Sequence, residues 1–303
     1  MIKIVEAVSA VFCFQGQIFS VIRQNHLDVF PGYNAFPGGK IDDQDLPSRI
    51  ASSFPKLNSV HLSALCREMK EELSFDLEKA FAEDKIISIE PLAEIFAPSF
   101  AQIRFRNWFY RIDLKDPAEF ILDEGEFSAG SWINPPTLLK IFHQGKALMV
   151  PPLRTMLKQL IQDPNLKQMG DLSIHFDDSR EIPELEMLEG VRMLMVPSHT
   201  LPPAERTNAF RLGDPDSPQI LVDSSPKSDE TYLLMLEQMK QENLDALFLT
   251  HHHPDHHQFA PDLARDLQLP ILLSQDSHSR IQQKFGEDYF RGVEIRRLCY
   301  SKM

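Results

Sequence analysis

The chain is short of three things, and each shortage narrows its class. It has three cysteines, Cys13, Cys66 and Cys299. They are far apart and odd in number, which leaves no readable disulfide framework or CxxC zinc site and fits a reducing, cytoplasmic compartment. No apolar run approaches the ~20 residues that a membrane span needs. The first residues, MIKIVEAVSAVFCF, hold one lysine and an interrupted apolar run. They lack the basic region, apolar core and cleavage site of a secretory leader, and read as a first β-strand. Positive charge is also scarce: 31 Lys and Arg against 44 Asp and Glu give a net charge of −13. Such a surface repels phosphate backbones, so broad nucleic-acid binding is not expected. A small phosphorylated substrate is compatible, because a bound divalent cation reverses the local field.

What is present is globular. The 43% hydrophobic and 25% charged residues exclude a disordered or fibrous chain, and 303 residues suffice for two domains. VSAVFCF and QIFSVIR read as two strands joined at Gly16, and PGYNAFPGGKIDDQD (31–45) as a loop. Residues 46–58 are polar and irregular and read as an insertion. Leu62, Leu65, Cys66, Met69 and Leu73 then form one helical stripe. Strands are expected within 86–114, and a helix over 136–163 interrupted at Pro151 and Pro152. A Pro- and acid-rich stretch, 164–186, reads as a linker. Beyond it RMLMVPS, FRLGD, QILVDSS, ALFLT and LPILLS read as strands and 228–243 as a helix, an α/β alternation. There is no internal repeat.

Two constellations carry chemistry. In CREMKEELSF (66–75), Glu68, Glu71 and Glu72 fall within roughly 100° of helical arc beside the apolar stripe. Like charges at these spacings repel, which a solvated surface helix tolerates. A hard divalent cation such as Mg²⁺ or Mn²⁺ gives the cluster a stronger reason to exist, and Arg67 can fix one carboxylate bidentately. Taken alone, REMKEEL reads as a solvated charged helix face. The loop FPGGKIDDQD upstream favours the metal, since its glycines let backbone approach a ligand closely.

With that loop, the region resembles the Nudix hydrolase family. Gly39 opens the family's box, Asp45 stands where its first Glu belongs, and Arg67, Glu68, Met69, Glu71, Glu72 and Phe75 match its helical part. This sequence departs in three places: Asp for Glu at 45, 21 residues instead of seven before Arg67, and Ser74 for the Gly at the helix end. The resemblance implies metal ligation by Glu68 and Glu72, with Glu71 a ligand or the base that activates water. It further implies the Gly38 carbonyl as a ligand, Arg67 as the group orienting a glutamate, and Glu126 as the later acid before Trp132, with Glu124 competing. Arg23 and Gly39 would meet substrate. Arg23, Gly32 and FPGG keep the spacing of the coenzyme A diphosphatase branch, although Asp28 stands where that signature has Arg. The implied reaction is Mg²⁺- or Mn²⁺-dependent hydrolysis of a diphosphate linkage in a nucleoside diphosphate derivative, a coenzyme A-like one included.

The second constellation is LFLTHHHPDHH (247–257), in which His251, His253, Asp255 and His256 follow an apolar strand directly. Imidazoles and a carboxylate this close favour Zn²⁺ or Fe, the plainer reading being an exposed His-rich loop. The motif resembles the metallo-β-lactamase fold, with TNAF (207–210) and ILVDSS (220–225) similar to its early strands. That resemblance implies His251 and His253 on one metal, and Asp255 and His256 on another. The fold's later His, bridging Asp and final His have no counterpart in the 46 residues after His257, which contain only His278. Half of the layered core, and hydrolase activity in this part, are therefore expected to be missing, whether by truncation, frameshift or degeneration.

Together the resemblances imply an α/β and α+β chain. A Nudix α/β/α sandwich with a mixed sheet would occupy 1–163, a linker 164–186, and a partial metallo-β-lactamase-like αβ layer 187–303. The expected partner is a small-molecule diphosphate, with no nucleic acid, no membrane, and a homodimer left open. Two alternatives remain: a thioester or lactone hydrolase of the metallo-β-lactamase fold with a ligand-binding Nudix half, and a non-catalytic binding protein.

Overall fold

The computed structural model describes residues 4–45, 48–101, 104–177, 179–214 and 216–298, so Cys299 lies outside the described residues. The chain divides into two compact units, Met1–His175 and Phe176–Met303.

The first unit is built on β1 (Ile4–Phe14), β2 (Gln17–Arg23), β3 (Asn34–Ala35), β4 (Gly38–Lys40), β5 (Ile86–Phe96), β6 (Arg104–Leu114), β7 (Phe127–Ile133) and β8 (Gly170–Asp171). The sheet runs β3-β2-β1-β6-β5-β8, with β4 on β1 and β7 on β2. It is mixed: β1 is parallel to β6 from Ile4↔Arg104 to Cys13↔Asp113 and antiparallel to β2 and β4. β1 is buried at every position from Ala7 to Cys13, apolar but for Ser9, and both faces are covered. Val8, Ala10 and Phe12 pack with Leu62, Leu65, Met69 and Leu73 of α1 (Ser59–Leu73) and Leu77 and Ala80 of α2 (Leu77–Ala82). Val11 and Cys13 pack with Leu138 and Phe142 of α3 (Pro135–His143) and Met156, Leu157 and Leu160 of α4 (Pro151–Gln162). Each such buried Leu, Met or Phe contributes about 1.5–3 kcal/mol.

Three local expectations change. The helix expected over 136–163 is two helices, each opening on a proline pair. Proline at the first helical position lacks only an N–H that would have no intrahelical acceptor, so Pro151 starts a helix instead of breaking one. The insertion is packed: Ile50 is buried, Phe54 lies 5.1 Å from Phe81 between ring centroids, and Ser48 Oγ donates to Glu78 Oε1 at 2.7 Å. Within 164–186, Gly170 and Asp171 pair with Ala93 and Glu94 of β5.

The second unit carries β9 (Glu184–Leu188), β10 (Val191–Pro197), β11 (Arg206–Leu212), β12 (Ile220–Val222), β13 (Ala246–Leu249), β14 (Ile271–Ser274) and β15 (Ile295–Leu298), in sequential order. β9 to β12 pair antiparallel and β12 to β15 parallel. The parallel part needs crossovers, and α5 (Asp229–Met239), α7 (Ala260–Leu267) and α8 (Gln275–Phe285) supply them, with the short α6 (Pro254–His257) ahead of α7. Met235, Met239, Leu263 and Ile281 of these helices share one core with Leu194, Leu221, Leu247 and Leu273. The alternate residues Met193, Phe210, Phe248 and Leu272 take the opposite face and are half-buried. Among the described residues, no helix is long and apolar enough to cross a membrane.

Candidate functional site

The carboxylate cluster sits on α1. Asn58 caps this helix, its Oδ1 accepting from Val60 N at 2.9 Å, and Ser74 ends it in the left-handed region at φ 51°. Between those ends the inward face places Glu68 and Glu72 beside the apolar stripe, 9% and 6% exposed, while the Glu71 side chain is 62% exposed.

β4 brings the glycine loop onto these carboxylates. Gly38 adopts φ +146°, and a Cβ there would lie 2.1 Å from Val8 O. At Gly39 a Cβ would lie 2.3 Å from Glu68 Oε1. Only glycine permits both approaches. The Gly38 N–H donates to Glu72 Oε2 at 2.7 Å. Arg67 closes the cluster from the other side. Its Nε and Nη2 meet Asp45 Oδ1 and Oδ2 at 2.9 and 3.1 Å, Nη1 meets Glu68 Oε1 at 2.7 Å and Glu71 Oε2 at 3.4 Å, and Nη2 also donates to Lys40 O at 2.8 Å. Asp45 is one methylene shorter than glutamate and still makes the bidentate pair.

The electrostatics follow from this packing. Burial pushes the Glu72 carboxyl up to about 8, with the charges of Glu68 and Glu126 adding to it against the Gly38 N–H and Arg23. Burial also raises Glu68, opposed by Arg67. The Arg67 hydrogen bonds hold Asp45 below its ordinary range. Glu126 lies 3.9 Å from Arg23, whose Nε donates to Val29 O at 3.0 Å. Glu124 contributes a backbone carbonyl to Gln24 Nε2.

The histidine loop lies at the carboxyl ends of β12 and β13. Among the described residues, the one trio whose ligand-type atoms all fall within 4.8 Å of one another is Asp223, His251 and His256. The glutamates of α1 are more widely spread. His251 Nε2 is 3.0 Å from His253 Nδ1, and the His251 and His256 ring centroids are 4.1 Å apart. Asp255 Oδ2 is 3.6 Å from His256 Nε2. His256 Nδ1 meets Asp223 Oδ2 at 3.0 Å, which raises the imidazole. Burial works to raise Asp223, but the hydrogen bonds from His256 and Thr250 outweigh it and the carboxyl is lowered. His257 turns away: it is buried against Tyr289 OH at 2.7 Å, and burial lowers it to about 4. His278 is buried against Phe290. Asp223 and Thr250 were not anticipated as partners of the motif. The available signal was that both stand at the ends of apolar strands, where parallel neighbours bring their loops together.

Comparison with known proteins gives two likenesses. Residues 203–295 match the family model of the metallo-beta-lactamase superfamily. The N-terminal half is similar to Nudix and MutT hydrolases. These include a NUDIX hydrolase from Alicyclobacillus acidocaldarius, 18% identical with a TM-score of 0.44 over 55% of this chain and 94% of that one. The MutT protein from Methanosarcina mazei Go1 is 13% identical with a TM-score of 0.38 over 54% and 97%. The E. coli dihydroneopterin triphosphate pyrophosphohydrolase is 13% identical with a TM-score of 0.35 over 52% and 95%. Comparison with curated proteins gives no match.

Proposed function

We propose that the N-terminal unit hydrolyses the diphosphate linkage of a nucleoside diphosphate derivative, coenzyme A-like diphosphates among them, in a Mg²⁺- or Mn²⁺-dependent reaction. The observation that carries this reading is the pair of glycines laid on two buried carboxylates, Gly38 on Glu72 and Gly39 on Glu68. Buried carboxylates are costly without a counter-cation, and hard oxygen donors of this kind suit Mg²⁺. Glu68 and Glu72, the Gly38 carbonyl and Glu126 would hold it.

The bound cation supplies charge compensation at the phosphoryl oxygens. Glu71, the most exposed of the three glutamates, would take a proton from the attacking water or serve as a further ligand of the cation. Water oxygen bonds to phosphorus, the bridging P–O bond breaks, and the leaving phosphate keeps the electron pair. Arg67 holds Glu68 and Asp45 in place while Glu71 works beside them. Arg23, at the end of β2, provides positive charge for the substrate phosphates.

The test is incubation with coenzyme A, ADP-ribose, dinucleoside polyphosphates and NADH in Mg²⁺ or Mn²⁺, reading paired phosphate-containing products. Wild-type turnover that Glu72→Gln abolishes supports the proposal. Equal activity of the two proteins removes it. Thioester or lactone hydrolysis that needs Zn²⁺ and disappears in His253→Ala would move the chemistry to the second unit.

A further inference from the structure

A cleft of about 530 Å³ opens in the second unit between α6, the start of α7 and the end of α8. None of His251, His253, Asp255 and His256 lines it. Its lining is mostly apolar, and the rings of His257, Phe259, Phe285 and Tyr289 dominate it. Two of these rings are locked by their own polar atoms. His257 Nδ1 lies 2.7 Å from Tyr289 OH and Nε2 3.2 Å from His252 O, while Tyr289 OH lies 3.1 Å from His257 O. What the pair leaves for a ligand is ring surface. Phe285 stands 5.2 Å from Tyr289 and 5.3 Å from His257 between centroids, and stays 41% exposed. Phe259 is held at φ 60°, a left-handed conformation that a bulky side chain rarely adopts. Its ring stacks on Tyr232 at 5.3 Å and 23°, and Tyr232 OH is tied to Asp266. The chain thus accepts backbone strain to keep this ring at the cleft.

We propose that this cleft binds a neutral, planar heteroaromatic ring of the nucleobase class, stacked on Phe285 and Phe259 with its edge read by the Gln258 amide. Charge in the lining is already balanced. Arg265 Nη2 donates to Asp262 Oδ1, and its Nη1 donates to Arg291 O at 2.9 Å. An acid finds no unpaired cation there and an ammonium no unpaired carboxylate. Gln258 is the polar group left over. Its backbone N–H donates to Ser225 Oγ at 3.0 Å, whereas its side chain makes no hydrogen bond with the described residues. An amide offers donors and an acceptor in one plane, which matches the edge of a purine. An aliphatic chain would cover that amide without pairing it, at a desolvation cost. Stacking on aromatic side chains suits any base, since each has a π-face. The inference stands apart from the diphosphatase reading, because its test needs no turnover.

The test titrates the full-length ¹⁵N-labelled protein with adenosine, adenosine 5′-monophosphate and hexanol, and follows amide shifts. Adenosine is expected to shift signals of residues 257–265 and 285–289 saturably, with a Kd on the order of 1 mM or tighter. The monophosphate should bind these residues as adenosine does, and hexanol more weakly. Phe285→Ala, at a half-exposed position, should weaken adenosine about 5- to 100-fold, the range for loss of one stacking ring. Gln258→Leu keeps the apolar contact and should weaken it about 5-fold, the worth of one hydrogen bond. Adenosine shifts confined to the first unit, or no saturation, overturn the proposal. A monophosphate bound ten or more times tighter at these residues would make the cleft an anion site, and hexanol bound as tightly as adenosine would make it a plain apolar one. Wild-type affinity in either variant overturns it as well, and Gln258→Leu still decides if Phe285→Ala does not fold.

Discussion

The glutamates of α1 and the histidines after β13 differ in where the protein puts its own donors. Around the glutamates the donors sit on the ligand atoms themselves: Arg67 Nη1 on Glu68 Oε1 and the Gly38 N–H on Glu72 Oε2. A cation entering there competes with a guanidinium and with the proton that burial holds on Glu72. Around the histidines, Nδ1 of His251 and His256 meets Thr250 and Asp223, while Nε2 of His251 meets His253 and Nε2 of His256 faces Asp255 at 3.6 Å. The first arrangement keeps a cluster of like charges stable without metal. The second holds the rings in place through partners that are not themselves cations, the Asp223 carboxylate and the Thr250 hydroxyl. The difference follows from chemistry: a carboxylate cluster must be neutralised in every state, whereas imidazoles need only the right tautomer.

The largest expected effect tests whether the glutamates alone carry turnover. Glu72→Gln should lower Mg²⁺-dependent diphosphate hydrolysis by about 10²- to 10⁴-fold, and His253→Ala should leave it unchanged. Product release measured for both decides it, and a comparable loss in His253→Ala would falsify the separation of the two sites. Next comes the loop that lies on the carboxylates. Gly38→Ala meets Val8 O and a φ of +146°, whereas Gly286, at φ +93°, has nothing within 4 Å of an added Cβ. Denaturant unfolding should show Gly38→Ala losing about 3 kcal/mol and Gly286→Ala about 1 kcal/mol. Similar losses would mean that β4 does not need its close approach.

A third test uses protons. In metal-free protein Glu72 is raised from 4.5 to about 8. Between those values the folded state binds more protons than the unfolded one, so stability falls as pH rises through this window. Glu72→Gln should flatten that slope in pH-dependent unfolding, and an unaltered slope would place the proton elsewhere. The smallest effect concerns the helix end. Ser74 is left-handed, and Ser74→Gly relieves the steric cost of its Cβ. A gain of about 0.5–1 kcal/mol in unfolding free energy is expected, and no gain would show that the Ser74 side chain compensates for its strain.

The sequence made some of this readable and hid the rest for identifiable reasons. The apolar stripe of Leu62, Leu65, Met69 and Leu73 repeats at helical spacing, and all four are fully buried. The β12 and β13 strands are short apolar runs bounded by polar loops and were equally plain. Asp223 was visible as a residue but not as a neighbour of His256, because 33 positions separate them and only the parallel pairing of β12 with β13 closes that distance. The ordered insertion was hidden too: a single buried Ile50 inside a polar stretch produces no periodicity. Pro151 was ambiguous, since the same ring that breaks a helix interior is tolerated at its first turn.

The Arg67–Asp45 pair has a consequence for the chain between its partners. It fastens the near end of the insertion to the helix that bears the glutamates, while the Asn58 cap fixes the far end. The intervening stretch is therefore a detour whose length need not register at the carboxylates. An alternative segment could be grafted there, provided that it returns one apolar side chain to the place of Ile50 and leaves Asp45 and Asn58 as its end posts.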